Sequence, residues 1–163
     1  MGKYIYPDDF ADSIFDINFD YLYKKELFNL IIDLDNTLSR WGSKRPDIDV
    51  CNWIKTIRKK GFKICILSNS SNNRINNFCC DLDVLFVMNV NKPFKSSFIR
   101  AMAIMDSNNR NTCVIGDQIF TDILGGNLCG MYTILVPPID NNEFIFTKFL
   151  RIFEKAILKN HYK

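Results

Sequence analysis

Five short apolar runs punctuate the chain, at 30–34, 62–67, 84–87, 112–115 and 132–136. Each is rich in Ile, Val, Leu or Phe, and none alternates apolar with polar residues. Strands exposed on one face alternate, whereas strands covered on both faces do not. The runs therefore predict buried, mainly parallel strands. Between them apolar residues recur at helical spacing. Val50, Trp53, Ile54 and Ile57 mark a helix that Asp47 can cap, that runs to Lys60 and that Gly61 ends. Further helices are expected at 72–80, at 94–105 (Phe98, Ile99, Met102 and Met105 on one face), at 119–129 and at 142–159.

Strand–helix alternation of this kind predicts an α/β fold with right-handed crossovers. With 163 residues the chain reads as one domain, 1–163. Its core spans about 29–137, with 1–28 and a C-terminal helix over 142–160 packed on it. No internal repeat or linker interrupts the pattern.

Composition narrows the possibilities. Hydrophobic residues make up 47% and charged residues 24%, enough apolar material for a real core. The net charge of +3 is too small to imply nucleic acid, and Lys and Arg form no blocks beyond pairs. No run reaches the ~18 apolar residues of a membrane span. Asp8, Asp9 and Asp12 stand where a secretory signal would need an apolar core, so a cytoplasmic location is expected. The six cysteines form no C-x-x-C, and Cys65 and Cys113 sit inside apolar runs as small hydrophobes. A disulfide framework is not expected in a chain this long. The single histidine, His161, is too near the end to serve a Ser-His-Asp or Cys-His site, and no ligand cluster suits zinc.

In parallel sheets ligands bind beyond the carboxyl ends of the strands. Those ends carry Asp33 and Asp35, then Ser68 and Asn69, then Lys92, then Asp117 with Asp122 five residues on. Crowded carboxylates repel and need a cation. Oxygen ligands without imidazole or thiolate favour a hard ion, Mg2+ rather than zinc. A lysine and a hydroxyl beside them can hold phosphate oxygens. Plainer readings exist for each. Asp33 and Asp35 could cap a turn, Ser68 lies in the turn-like "SNSSNN", Lys92 could be a solvated loop charge, and Asp122 could cap its own helix. Gly125-Gly126, within a helix-like stretch, reads as a close-packing device rather than a phosphate loop.

Taken together, Asp33-x-Asp35-x-Thr37, Ser68, Lys92-Pro93 and Gly116-Asp117-Gln118-x-x-Thr121-Asp122 resemble, in order, the four motifs of the haloacid dehalogenase (HAD) superfamily. The likeness covers 30–136. "DLDNTL" followed by "GDQIFTDILGGN" is more specifically similar to the YqeG-like branch of subclass III, related to mitochondrial phosphatidylglycerophosphatases. The segments "YPDDFADSIFDI" and "FTKFL" are similar to that branch as well. The resemblance implies a Rossmann-like three-layer sandwich, here with a five-stranded sheet. It also implies a Mg2+-dependent phosphatase working through an aspartyl phosphate. Asp33 would be the nucleophile. Asp35 would protonate the leaving oxygen and later take a proton from water, and its backbone carbonyl would ligate the metal. Asp33, Asp117 and Asp122 would supply metal carboxylates, Asp122 directly or through water. Ser68 and Lys92 would hold the phosphoryl group, with Asn69 shaping the pocket.

The gaps 38–46 and 70–91 are too short to house a cap domain. An open site is therefore expected, bordered by the flap "SRWGSKRP", from which Arg40 and Trp41 could meet the substrate. An open site suits a phosphate on a bulky carrier, such as a lipid head group, without excluding a small metabolite or a phosphoprotein. The resemblance points to phosphatidylglycerophosphate. A HAD scaffold without turnover is the competing reading. A receiver-like domain would need an Asp at the end of the third strand, and "DVLFVMN" has none there. Phe146, Phe149, Leu150, Phe153, Ile157 and Leu158 form one face of the C-terminal segment, with Lys148, Arg151, Lys155 and Lys159 largely elsewhere. That pattern fits either a helix covering the sheet, the favoured reading, or a peripheral contact with the inner membrane face. Oligomeric state leaves no trace in the sequence.

Overall fold

The computed structural model describes residues 2–140. The helix expected at 142–159, with its aromatic and basic faces, lies outside the described residues.

Six strands form one sheet: β1 (Asp9–Phe10), β2 (Asn29–Ile32), β3 (Lys63–Ile66), β4 (Leu85–Phe86), β5 (Thr112–Gly116) and β6 (Tyr132–Leu135). Their order is β1-β6-β5-β2-β3-β4, and every pairing is parallel. The expected count of five is corrected to six. The additional strand, β1, is two residues long and too polar to stand out as an apolar run. It is pinned to the sheet edge by Asp8, whose carboxylate accepts from the Thr133 backbone N–H at 2.9 Å and hydroxyl at 3.1 Å.

Five α-helices are described: α1 (Phe19–Lys24), α2 (Ile48–Lys59), α3 (Asn72–Leu82), α4 (Lys95–Met105) and α5 (Leu124–Leu128). Asp47 stands at the N-cap of α2, but its side chain makes no capping hydrogen bond. Gly61 follows α2 at φ +95°, the left-handed conformation that ends a helix at low cost.

Successive side chains of a strand point to opposite faces, and this alternation divides the core in two. Leu30, Ile32, Ile64, Ile66, Cys113 and Ile115 face one side and pack with Leu22 of α1, Ile54 and Ile57 of α2, and Ile75 and Phe78 of α3. Ile31, Cys65 and Val114 face the other and pack with Phe98, Ala101 and Met105 of α4. All these residues are buried, so β2, β3 and β5 need no polar face. The result is a three-layer sandwich. Gly125 and Gly126 let α5 close onto this second side. A Cβ on Gly125 would lie 2.2 Å from the Phe98 ring, and one on Gly126 would lie 2.7 Å from Thr133 Cγ2.

The topology also creates the crevice. From central β2 the chain runs outward through β3 and β4, then returns to β5 on the other flank and continues to β6. Loops leaving β2 and β5 therefore diverge, the arrangement in which α/β sheets bind ligands. Register brings the strand ends level: Ile32 pairs with both Ile66 and Ile115. Asp33, Ser68 and Asp117 consequently emerge at one edge. Between β2 and β4 only the flap, α2, β3 and α3 are present, with no inserted cap domain among the described residues.

Candidate active site

A cleft of about 430 Å³ opens at that edge. Asp33, Asp35, Ser68, Asn69 and Lys92 all line it, together with Asn36, Trp41, Ser70, Arg74, Gln118 and Thr121.

Its floor is built by strand ends. Asp33 follows β2 directly, and its backbone N–H is fixed to the Ile115 carbonyl at 3.0 Å. The chain then turns tightly. Asn36 adopts φ +65°, which asparagine tolerates better than most residues, and its N–H donates to the Ser39 carbonyl at 2.7 Å. This turn swings the Thr37 hydroxyl onto Asp117 Oδ1 at 3.1 Å, joining the ends of β2 and β5.

Asp122 arrives by a different route. The helix expected at 119–129 is a π-helical turn, Ile119–Ile123, followed by α5. π-turns inside helices accompany functional sites, where they redirect a side chain. Here the turn folds Asp122 back so that its Oδ2 accepts from the Gln118 N–H at 3.2 Å. Gly116 makes room, because a Cβ there would sit 2.4 Å from the Asp122 carboxyl carbon. The glycine of Gly116-Asp117 is thus a steric requirement of Asp122.

Lys92 crosses this floor. Its Nζ donates to Asp33 Oδ1 at 2.5 Å and to Asp122 Oδ1 at 2.6 Å. Asn69 is exposed, and its Oδ1 accepts from the Lys92 backbone N–H at 2.9 Å, so it also fixes the lysine's loop. Carboxylate oxygens of Asp33, Asp117 and Asp122 all lie within 4.8 Å of one another, and all three residues are buried. Among the described residues, three buried carboxylates gather around the Lys92 ammonium, an excess of carboxylates over the cation that bridges two of them. Burial pushes the Asp33 carboxyl well above its usual range. Lys92 works against that rise, and Asp122 and Asp117 add to it. Burial likewise opposes the charge on Lys92, but Asp122 and Asp33 outweigh it and hold the ammonium above the ordinary lysine range. An all-oxygen donor set with this excess of carboxylates fits a divalent hard cation.

The rim is different. Asp35 is half-buried, and its carboxylate lies outside the metal-compatible trio. Ser68 donates to its Oδ2 at 3.4 Å, Ser70 bonds the same oxygen, and Arg74 Nη1 pairs with Oδ1. Arg74 extends from the first turn of α3 and also donates from Nε to the Ser43 carbonyl of the flap at 2.9 Å. Arg40 is exposed and does not line the cleft, whereas the flap residues Trp41 and Gly42 do. Ser70 and Arg74 were not picked out from sequence. A signal existed, since a cation in the first turn of a helix opposes the helix dipole and calls for a partner.

Comparison with known proteins agrees with this architecture. The "HAD-hyrolase-like" family model matches residues 89–138, the stretch holding Lys92, Asp117 and Asp122. The chain is 35% identical over 158 residues to "Probable phosphatase YqeG" of Bacillus subtilis (strain 168), covering 97% of this chain and 92% of that protein. Among solved structures, an uncharacterized protein from Listeria monocytogenes serotype 4b superposes with a TM-score of 0.58 at 16% identity. That match covers 72% of this chain and 85% of the other. The cobalt-bound deoxy-D-mannose-octulosonate 8-phosphate phosphatase (YrbI) of Haemophilus influenzae superposes with a TM-score of 0.56 at 14% identity, covering 83% and 89%. At such identities these two structures speak for the fold alone. Motif order, strand-end geometry and the extended similarity to the Bacillus subtilis protein converge: the chain belongs to the haloacid dehalogenase superfamily, in the YqeG family.

Proposed function

We propose that this HAD-family enzyme is a Mg2+-dependent phosphatase that hydrolyses a phosphomonoester through an aspartyl phosphate on Asp33. The observation that carries the reading is the buried trio Asp33, Asp117 and Asp122 gathered around Lys92 at the mouth of an open cleft. Relatedness to a protein named as a phosphatase supports it.

Asp33 Oδ1 is held by Lys92, while Oδ2 makes no hydrogen bond among the described residues. In this reading Oδ2 forms the new bond to phosphorus, and the ester oxygen leaves with the electrons of the bond that breaks. Asp35 gives that oxygen a proton. Water then attacks the phosphorus of the aspartyl phosphate, Asp35 takes the water's proton, and phosphate departs as Asp33 is regenerated. Splitting one displacement into two lowers each barrier. Lys92 and Ser68 hold the phosphoryl oxygens, with Asn69 keeping Lys92 in place. Asp33, Asp117 and Asp122, with the Asp35 carbonyl, would hold the metal. A bound Mg2+ would offset the charge that carboxylates and phosphoryl group bring together.

The substrate enters from the open side. A bulky phosphate ester fits such access, and phosphatidylglycerophosphate heads the candidates, followed by soluble phosphorylated metabolites and phosphoproteins. The reading predicts that p-nitrophenyl phosphate hydrolysis disappears with EDTA and returns with added Mg2+. Full activity in EDTA contradicts it. Measurable Mg2+ binding without turnover on any ester, including the lipid in mixed micelles, would make the protein a non-catalytic scaffold.

A further inference from the structure

Among the described residues two cations, Lys92 and Arg74, line the cleft, and they are committed differently. Lys92 gives two of its three N–H donors to Asp33 and Asp122 and keeps the third for the phosphoryl group. Arg74 is only partly spent. Nε serves the Ser43 carbonyl at 2.9 Å, and Nη1 serves Asp35 and the Ser70 hydroxyl, the latter at 2.7 Å. Its third nitrogen, Nη2, is buried and has no hydrogen-bond partner among the described residues. A guanidinium offers five N–H donors in a rigid fork suited to carboxylates and phosphates. Leaving two of them buried and unmade is costly. Arg74 therefore gains from any anion that a small turn of its side chain can reach.

Position says which part of a ligand that would be. Arg74 touches Asp35 and not Asp33. If the phosphoryl group sits on Asp33 and the leaving oxygen faces Asp35, the rest of the ester extends past Asp35. It then meets Arg74 and the flap residues Trp41 and Gly42. We propose that Arg74 receives a second anionic group of the substrate, a carboxylate or phosphate carried a few bonds beyond the leaving oxygen. It thereby selects such esters over esters lacking that charge. The assignment rests on the phosphatase reading above for the direction in which the ester lies.

Both a lipid head group and a soluble metabolite can present this chemistry, so the test uses two matched pairs. The soluble pair is 3-phosphoglycerate against glycerol 3-phosphate. The lipid pair, in mixed micelles, is a monoester followed by a phosphodiester against phosphatidic acid. In Mg2+, the wild-type protein should prefer the doubly anionic member of at least one pair by about tenfold or more in kcat/KM. Arg74→Gln should bring that ratio towards one, and Arg74→Lys should recover part of it. The pair that responds identifies the source. A residue that only positions Asp35 or the flap would slow both members alike and leave the ratio intact. Ratios near one in the wild type, or ratios untouched by Arg74→Gln, overturn the proposal. If no ester turns over, the phosphatase reading fails by itself. The same ratios, read as Kd by calorimetry with the wild type and Arg74→Gln in Mg2+, then decide the role of Arg74. Should Arg74→Gln not fold by circular dichroism, Arg74→Lys carries the comparison.

Discussion

Two aspartates separated by one residue occupy different chemical worlds in this cleft. Asp33 lies on a buried floor with Asp117, Asp122 and Lys92, where carboxylates outnumber the ammonium. Asp35 lies on a partly buried rim with Ser68, Ser70 and Arg74, where one carboxylate meets one guanidinium. The floor gathers three carboxylates whose donor set fits a hard cation. The rim is already neutral and is instead tied to a flap through Ser43. The difference separates two tasks. On the proposed reading, holding metal and attacking phosphorus fall to the floor, and proton transfer and choice of substrate fall to the rim.

The strongest way to break this comparison is to remove Lys92, the one cation of the floor among the described residues. Lys92→Ala should lower p-nitrophenyl phosphate turnover by about a thousandfold, because it removes charge stabilisation that strengthens in the transition state. It should also cost the metal-free protein roughly 3 kcal/mol in urea denaturation, since it strands three buried carboxylates. Near-normal turnover and stability would show that the floor does not depend on the lysine.

A smaller effect sharpens the contrast through pH. An aspartate in an unfolded chain titrates near ~3.9, and burial holds Asp33 above that in the native protein. Below the unfolded value both states are protonated, and Asp33 contributes nothing to pH dependence. As pH climbs past it, the unfolded chain gives up a proton that the native state retains, so native stability falls. The fall ends once pH passes the raised native value. Metal-free Tm should therefore decline as pH rises above about 4. Asp33→Asn should flatten that decline and raise Tm at neutral pH. Added Mg2+ should stabilise the wild type more at neutral pH than in acid. A metal-free Tm profile identical in wild type and Asp33→Asn would contradict the crowding described here.

The same division governs what sequence could reveal. Most of the floor was legible because Asp33, Asp117 and Lys92 sit at the end of an apolar run or in a loop near one, with Asp122 one turn further on, and register brings the strand ends level. Asp33, Lys92, Asp117 and Asp122 of the floor, and Ser68 of the rim, fall at one sheet edge from the strand pattern alone. The π-turn at Ile119–Ile123 was not legible, since helical periodicity does not distinguish one widened turn from a regular helix. Gly116 carried a readable hint, as a strand ending in glycine before a carboxylate often marks a close approach. On the rim, Arg74 and Ser70 reach Asp35 from 39 and 35 residues away in sequence. Such contacts depend on how α3 and the loop that leads into it are aimed, and no spacing rule encodes that. Arg40 looked as suitable as Arg74 by charge and lay closer in sequence to the motif, yet the flap turns it outward. Strand β1 escaped for a different reason. Two residues anchored by Asp8 carry no periodicity to read.

The central claim is that Asp33 carries the phosphoryl group. Its most direct measurement is mass spectrometry of protein quenched during turnover with Mg2+ and a phosphate ester, then reduced with borohydride to convert any acyl phosphate to the alcohol. The account predicts the modification on Asp33, its absence without substrate, and neither modification nor turnover in folded Asp33→Asn. Turnover by Asp33→Asn, or a modification on another aspartate, would contradict it.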